Sequence, residues 1–152
     1  MTEDPYGHWM GTPMDQVAIE EVLSTTAWGT LALAEDDVPY SIPMTFGFDG
    51  EDIYFGFIDD KPMNRKFEFL GEDKPARLLV TDIEAKFDWR SVAVTGSLQS
   101  LSRNSPNWDT LFDVLGENTW FESGYDRVRV VEEIHGWRLI PDEIVGRQVG
   151  GE

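Results

Sequence analysis

The sequence predicts a mainly β fold, a closed or half-closed antiparallel barrel carrying peripheral helices. Three observations predict it. Short segments of strand-like apolar residues recur at close spacing from Trp28 to Leu101, tight turn signals separate several of them, and helical patterns appear only before, within and after this run. An open sandwich is the alternative architecture.

The elements follow in order. Thr12-Pro13-Met14-Asp15 reads as a helix start, with Thr12 as cap, Pro13 in the first turn and Asp15 facing the positive helix end. That helix extends to about Thr26, with Val17, Ile19, Val22 and Leu23 toward one face. Strands are then expected at Trp28–Ala34, Pro39–Phe48 and Ile53–Ile58, joined through Glu35-Asp36-Asp37 and Asp49-Gly50 as antiparallel hairpins. A short helix is expected over Asn64–Leu70, then strands at Ala76–Thr81 and Ser91–Leu101, where Gly96 suggests a bulge or corner. Ser105-Pro106 opens a helix with Trp108, Leu111, Phe112 and Leu115 at i, i+3, i+4 and i+7, ending at Gly116. Val128–Val131 is ambiguous between strand and helix, and Ile134–Ile140 is a final strand stopped by Pro141. Residues 14–148 make one domain, preceded by a flexible segment (1–13) and followed by a tail (149–152).

Composition bounds the function. With 152 residues, 41% of them apolar, the chain can bury one core. No apolar run is long enough to cross a bilayer and no leader pattern stands at the N-terminus, so a cytoplasmic protein is expected. The absence of cysteine removes disulfides, thiolate metal sites and cysteine nucleophiles, so any redox chemistry must come from a cofactor. Twenty-nine acidic residues oppose twelve Lys and Arg, for a net charge of −17. Such a surface repels nucleic acid, and it also repels itself unless salt screens it. At about 1 M salt the screening length falls to roughly 3 Å, and a halophilic protein is the expectation.

In so acidic a chain a cluster of cations needs a reason. Lys61, Arg65 and Lys66 fall together after the Ile53–Ile58 strand, at the start of the short helix. Two readings stand side by side: a phosphate site, or neutralisation of the neighbouring Asp49, Glu51, Asp52, Asp59 and Asp60. Lys74 reads as an exposed lysine for comparison. The Pro39–Phe46 strand carries two prolines and so leaves backbone groups free; a planar heterocycle could use them, with Tyr40 or Trp89 as an aromatic wall, although the prolines by themselves favour an ordinary edge strand. His8 and His135 have no partner at metal-ligand spacing. Arg127 and Arg129 alternate and could reach a phosphate, or be solvated charges.

Taken in order, Trp28-Gly29-Thr30-Leu31-Ala32, Pro39-Tyr40-Ser41-Ile42-Pro43-Met44, Ile53-Tyr54-Phe55, Arg65-Lys66 and Ser91-Val92-Ala93-Val94-Thr95-Gly96 resemble the pyridoxamine 5′-phosphate oxidase-like split-barrel family. The closing Gly136-Trp137-Arg138-Leu139-Ile140-Pro141 adds to the resemblance. It implies a six-stranded split barrel, a homodimer, and two FMN molecules in grooves between the subunits. Carried over by position, Ile42, Pro43, Met44 and Thr45 would line the isoalloxazine, Arg65 and Lys66 would bind the phosphate, and Trp89 and Ser91 would approach the flavin from the opposite strand or the partner subunit. The implied function is an FMN-dependent oxidoreductase acting on a small organic acceptor; a 5-deazaflavin-dependent reductase and a non-enzymatic flavin carrier or sensor are the alternatives. The chain departs from its relatives at Gly56-Phe57, where a hydroxyl residue is common. It departs again at Gly146-Arg147-Gln148-Val149, where true oxidases carry a basic, histidine-containing substrate motif, so vitamin B6 oxidation is not expected.

Overall fold

The computed structural model describes residues 7–58, 66–117 and 134–150. Among them, α1 (Gly7–Met10), β1 (Thr12–Pro13) and α2 (Gln16–Thr25) precede the sheet. The helix starts three residues later than the Thr12-Pro13 pattern suggests. Asp15 is its cap, in extended conformation, and its carboxylate accepts the Ala18 N–H at 2.8 Å. Thr12 and Pro13 are drawn instead into pairing with the last strand, opposite Gln148 and Arg147. Ile19, Val22 and Leu23 are buried beneath α2, while Val17 faces solvent.

The strands β2 (Trp28–Glu35) and β3 (Val38–Thr45) form the first hairpin, and β4 (Gly47–Phe48) with β5 (Ile53–Ile58) form the second. Asp36 and Asp37 both adopt positive φ, +50° and +63°, the backbone of the tight hairpin turn whose twist matches its strands. In the second turn the Asp49 carboxylate accepts the N–H groups of Glu51 and Asp52 at 2.8 and 2.7 Å. After α3 (Lys66–Phe69) come β6 (Pro75–Ala85), β7 (Asp88–Ser100), α4 (Pro106–Gly116) and β8 (Ile134–Val149). The stretch Val128–Val131, with Arg127 and Arg129, lies outside the described residues.

Eight strands replace the expected six, and the extra two are short. One is β1. The other arises because the single strand expected over Pro39–Phe48 divides at Phe46 between two partners: β3 pairs with β2 and β4 pairs with β5. The hydrogen-bonded order is β3-β2-β6-β7-β8-β5-β4, so the two ends of the path are consecutive in the chain, joined through Phe46. That covalent link bends the sheet into a split barrel, with the opening between β3 and β5.

Pro141 does not stop the last strand. The β7–β8 register shifts between Thr95, opposite Glu143, and Gly96, opposite Pro141. A proline at a bulge interrupts no regular ladder bond, so β8 continues to Val149. Gly96 is required there, since a Cβ would stand 1.9 Å from the Ile140 carbonyl oxygen.

The barrel core is built from alternate residues of every long strand, with Leu31, Phe55, Leu78, Val92, Val94, Leu98 and Leu139 fully buried or nearly so. A second cluster lies outside the sheet under α4, where Trp108, Leu111, Val114 and Leu115 pack on Tyr54 and Ile134. Gly56 makes that packing possible: a Cβ on it would stand 2.3 Å from Ile134 Cδ1. The departure from a hydroxyl residue at this position is therefore explained by the ceiling the second cluster places over β5.

Candidate functional site

Strand β3 ends the sheet among the described residues, and the backbone groups on its outer edge have no ladder partner strand among them. At its C-terminal end Trp28, Pro43, Met44 and Thr45 line a shallow apolar recess of ≈ 370 Å³. Pairing Trp28 with Thr45 and Thr30 with Pro43 keeps the Trp28, Pro43 and Thr45 side chains on one face of the hairpin, while Met44 between them turns its side chain into the core and only borders the recess. Three of the four expected ring-contacting residues thus come together. Ile42 packs against the barrel core, on the face it shares with Met44, and does not line the recess. Trp28, which the sequence reading did not place here, also lines the recess through its register opposite Thr45.

The two aromatic walls expected from sequence lie elsewhere. Tyr40 stacks on Phe69 of α3 at 4.6 Å and 8°. Trp89 closes on the N-terminal segment, where a Cβ at Gly11 would stand 2.8 Å from its indole. Ser91 pairs with Thr81 and Arg147, three strands from β3, or about 14 Å at the usual strand spacing. Within one protomer, Trp89 and Ser91 are not part of the recess.

Of the expected phosphate cations, Lys66 opens α3 and Arg65 lies outside the described residues. The helix is pinned across the barrel opening, Phe69 on Tyr40 of β3 and Phe67 edge-on to Phe57 of β5 at 6.2 Å. His135 meets the other edge of Phe67 at 5.1 Å. The segment bearing Lys66 and the apolar recess therefore adjoin the same edge strand, about 13 Å apart along it, with α3 stacked on its core-facing Tyr40 and the recess on the opposite face at Pro43 and Thr45. Lys74 is not the free lysine it resembled, since its ammonium pairs with Glu35.

Other polar clusters are committed to holding elements together. Arg90 bridges Asp82 at 2.9 Å and Glu21 of α2 at 3.0 Å, at the edge of a wider recess of ≈ 480 Å³ that also carries Glu84 and Asp88. The guanidinium hydrogen bond holds the Asp82 carboxyl below its usual range. With four carboxylates around one engaged arginine, this recess repels an anion. Arg138 joins Gln99 and Asp52, and burial raises the Asp52 carboxyl despite that arginine. Arg147, in the region that departs from true vitamin B6 oxidases, donates from Nε and Nη2 to the carbonyls of Met10 and Gly11, both at 2.8 Å. It clips the N-terminal segment to the sheet. Among the described residues no three His, Asp or Glu side chains gather in metal-binding geometry.

The family model described as pyridoxamine 5′-phosphate oxidase matches residues 15–148. The chain belongs to the pyridoxamine 5′-phosphate oxidase family. No curated protein matches it. Among solved structures, an FAD-binding protein from Mesorhizobium loti superposes with TM-score 0.70 at 19% identity, covering 91% of this chain and 98% of that one. An FAD and heme binding protein from Mycobacterium smegmatis gives 0.68 at 20% identity, with 90% and 72% covered. A flavocytochrome from Azotobacter vinelandii gives 0.69 at 19% identity, with 98% and 73% covered. These likenesses establish the split-barrel fold of this family member.

Proposed function

We propose that this family member binds a flavin nucleotide, FMN in the first instance, and passes electrons from it to a small organic acceptor. One observation carries the reading: the family match spans residues 15–148, and its fold sets an apolar recess and a lysine-bearing helix along one edge strand. The recess suits a planar ring system, with Pro43 and Thr45 beneath it, the Met44 backbone between them and Trp28 at its side. The outer backbone edge of β3 offers N–H and C=O groups to ring heteroatoms. Lys66, with Arg65, would hold the phosphate. Two of the solved structures named above are described as FAD-binding, which favours a flavin over other planar ligands. The scarcity of cations favours a short phosphate tail over the longer acidic tail of a deazaflavin coenzyme. When bound, the flavin supplies the redox chemistry; the protein's part is to position the ring and screen its charge.

The site is shallow, and a second copy would deepen it. Two adjacent cross-strand rows on the outer face of the sheet are free of carboxylate: Pro43, Thr30, Leu79, Ala93 and Val145, and beside them Thr45, Trp28, Thr81, Ser91 and Arg147. Leu79, Val145 and Trp28 are each more than 40% exposed. In a chain of net charge −17, two neighbouring rows without carboxylates suit contact between like copies, and a homodimer is part of this reading. Work in a cytoplasm at molar salt is its other part, supported by that same charge.

Purification at high salt followed by visible spectra with and without FMN, FAD or the deazaflavin tests the cofactor. Retention of FMN with a flavin absorbance band is expected; a protein that retains no flavin overturns the reading. Lys66→Ala should weaken FMN affinity about tenfold and leave riboflavin affinity unchanged, whereas Lys86→Ala, in the exposed β6–β7 turn, should change neither. Equal losses in the two variants would remove the phosphate contact. Saturable reoxidation of the reduced flavin by an acceptor in stopped flow marks an enzyme, and its absence marks a carrier.

A further inference from the structure

The N-terminal segment presents two large apolar side chains to solvent from a backbone that is firmly held. Trp9 is 78% exposed and Met10 61%. Arg147 fixes the carbonyls of Met10 and Gly11, Gly11 turns at φ +76° against the Trp89 indole, and β1 pairs with β8 immediately afterwards. A mobile tail could display such residues without consequence. A strap locked by two charge-assisted hydrogen bonds and a strand pair displays them in a defined place.

That place is one end of a cross-strand row. Thr45 pairs with Trp28, Thr81 with Ser91, and Ser91 with Arg147; continuing the Thr30–Leu79 register sets Thr81 beside Trp28. The row therefore runs from the apolar recess at Thr45 to the strap clipped by Arg147, a span of about 19 Å over five strands. Its middle lies on β6. Two such faces stacked with a two-fold axis lying between them, parallel to β6, exchange the ends of the row. The strap of each copy then stands opposite the recess of the other. The alternative axis, along the row, would set strap on strap and recess on recess, joining two projections and two hollows. Shape favours the first arrangement, and the absence of carboxylates along the row removes the repulsion that would oppose it.

Resting on the flavin reading above, we infer that Trp9 and Met10 of one protomer form the far wall of the flavin recess of a second copy, so that each site is completed in trans. The strap acts as a positioning and enclosing element. Its indole and thioether cover the open side of the ring, and Arg147 sets where they stand.

Complementation tests it. Trp9→Ala/Met10→Ala should lower flavin affinity about tenfold and restore part of the flavin fluorescence that the enclosed site quenches. Pro43→Glu, on an exposed position of the recess, should abolish binding in its own copy. After subunit exchange, the mixture of these two variants contains dimers in which an intact recess faces an intact strap, and tight binding should return. The inference is overturned if the mixture binds no better than the strap variant alone, or if that variant binds flavin as the wild type does. Wild-type protein that takes up no flavin overturns the parent reading instead. In that case sedimentation still judges the strap: the strap variant should dissociate at about tenfold higher concentration than wild type, and an unchanged dimer overturns the contact.

Discussion

Tyr54 shows how one side chain ties the hydrophobic cluster under α4 to a turn. Its ring lies in the cluster under α4, and its hydroxyl donates to the Asp49 carboxylate at 3.1 Å. Burial, then the hydrogen bond and charge of Asp49, raise its pKa from the ordinary 10 to about 12. A group that holds its proton more tightly when folded adds stability that is complete below pH 10 and is lost as pH rises toward 12. Unfolding followed across that window should therefore show a loss on the order of 2 kcal/mol in wild type. Tyr54→Phe should lose about 1 kcal/mol at pH 7 and show a shallower alkaline decline. A decline of the same steepness in the variant would mean that other groups govern it.

At the scale of elements, the β7–β8 ladder contains the position least tolerant of change. Gly96→Ala drives a methyl group into the Ile140 carbonyl and should cost about 3 kcal/mol or more, read as a fall in thermal midpoint. Gly116→Ala makes the same chemical change at the end of α4, where nothing lies within 4 Å, and should gain about 0.5 kcal/mol. A similar response from both would contradict the close approach at the bulge. The same ladder shows what sequence made legible. Gly96 announced the irregularity, Ile53–Ile58 and Pro106–Gly116 fell where their patterns placed them, and the hairpin turns were marked by Asp36-Asp37 and Asp49-Gly50. Pro141 misled, because a proline's missing N–H matters only where the ladder is regular. Thr12-Pro13 misled because a good cap pattern lost to pairing with Arg147 and Gln148, a partner 136 residues away in the case of the Thr12 hydroxyl. Motif order singled out Pro43, Met44 and Thr45, which the structure brings to one recess, whereas the presence of Trp28 beside them depended on cross-strand register, which local pattern does not specify.

For the whole molecule, charge governs the response to solvent. A net charge of −17 on one barrel leaves self-repulsion that salt should relieve, so the thermal midpoint should rise steadily from about 0.1 to 1 M KCl, with sodium sulfate also effective. A midpoint that falls over that range would contradict halophilic adaptation. Charge reversal at the clustered carboxylates of the second recess, for example Glu84→Lys, should reduce the salt dependence without disturbing the β3 recess.

The sixteen residues of β8 carry a consequence for how the chain reaches its fold. This one strand pairs with β1, β5 and β7, elements drawn from the beginning, middle and later part of the described chain. Until it docks, the β3-β2-β6-β7 ladder is an open ribbon whose β7 edge is unpaired, with Val92, Val94 and Leu98 lacking their neighbours. Barrel closure is thus expected to come late and slowly, set by long loop closures rather than by helix formation, with the ribbon that precedes it the species most exposed to misassembly. Refolding yield should accordingly depend on protein concentration in the seconds before β8 is captured, with high salt acting in both directions by promoting collapse and weakening the mutual repulsion that keeps partly folded chains apart.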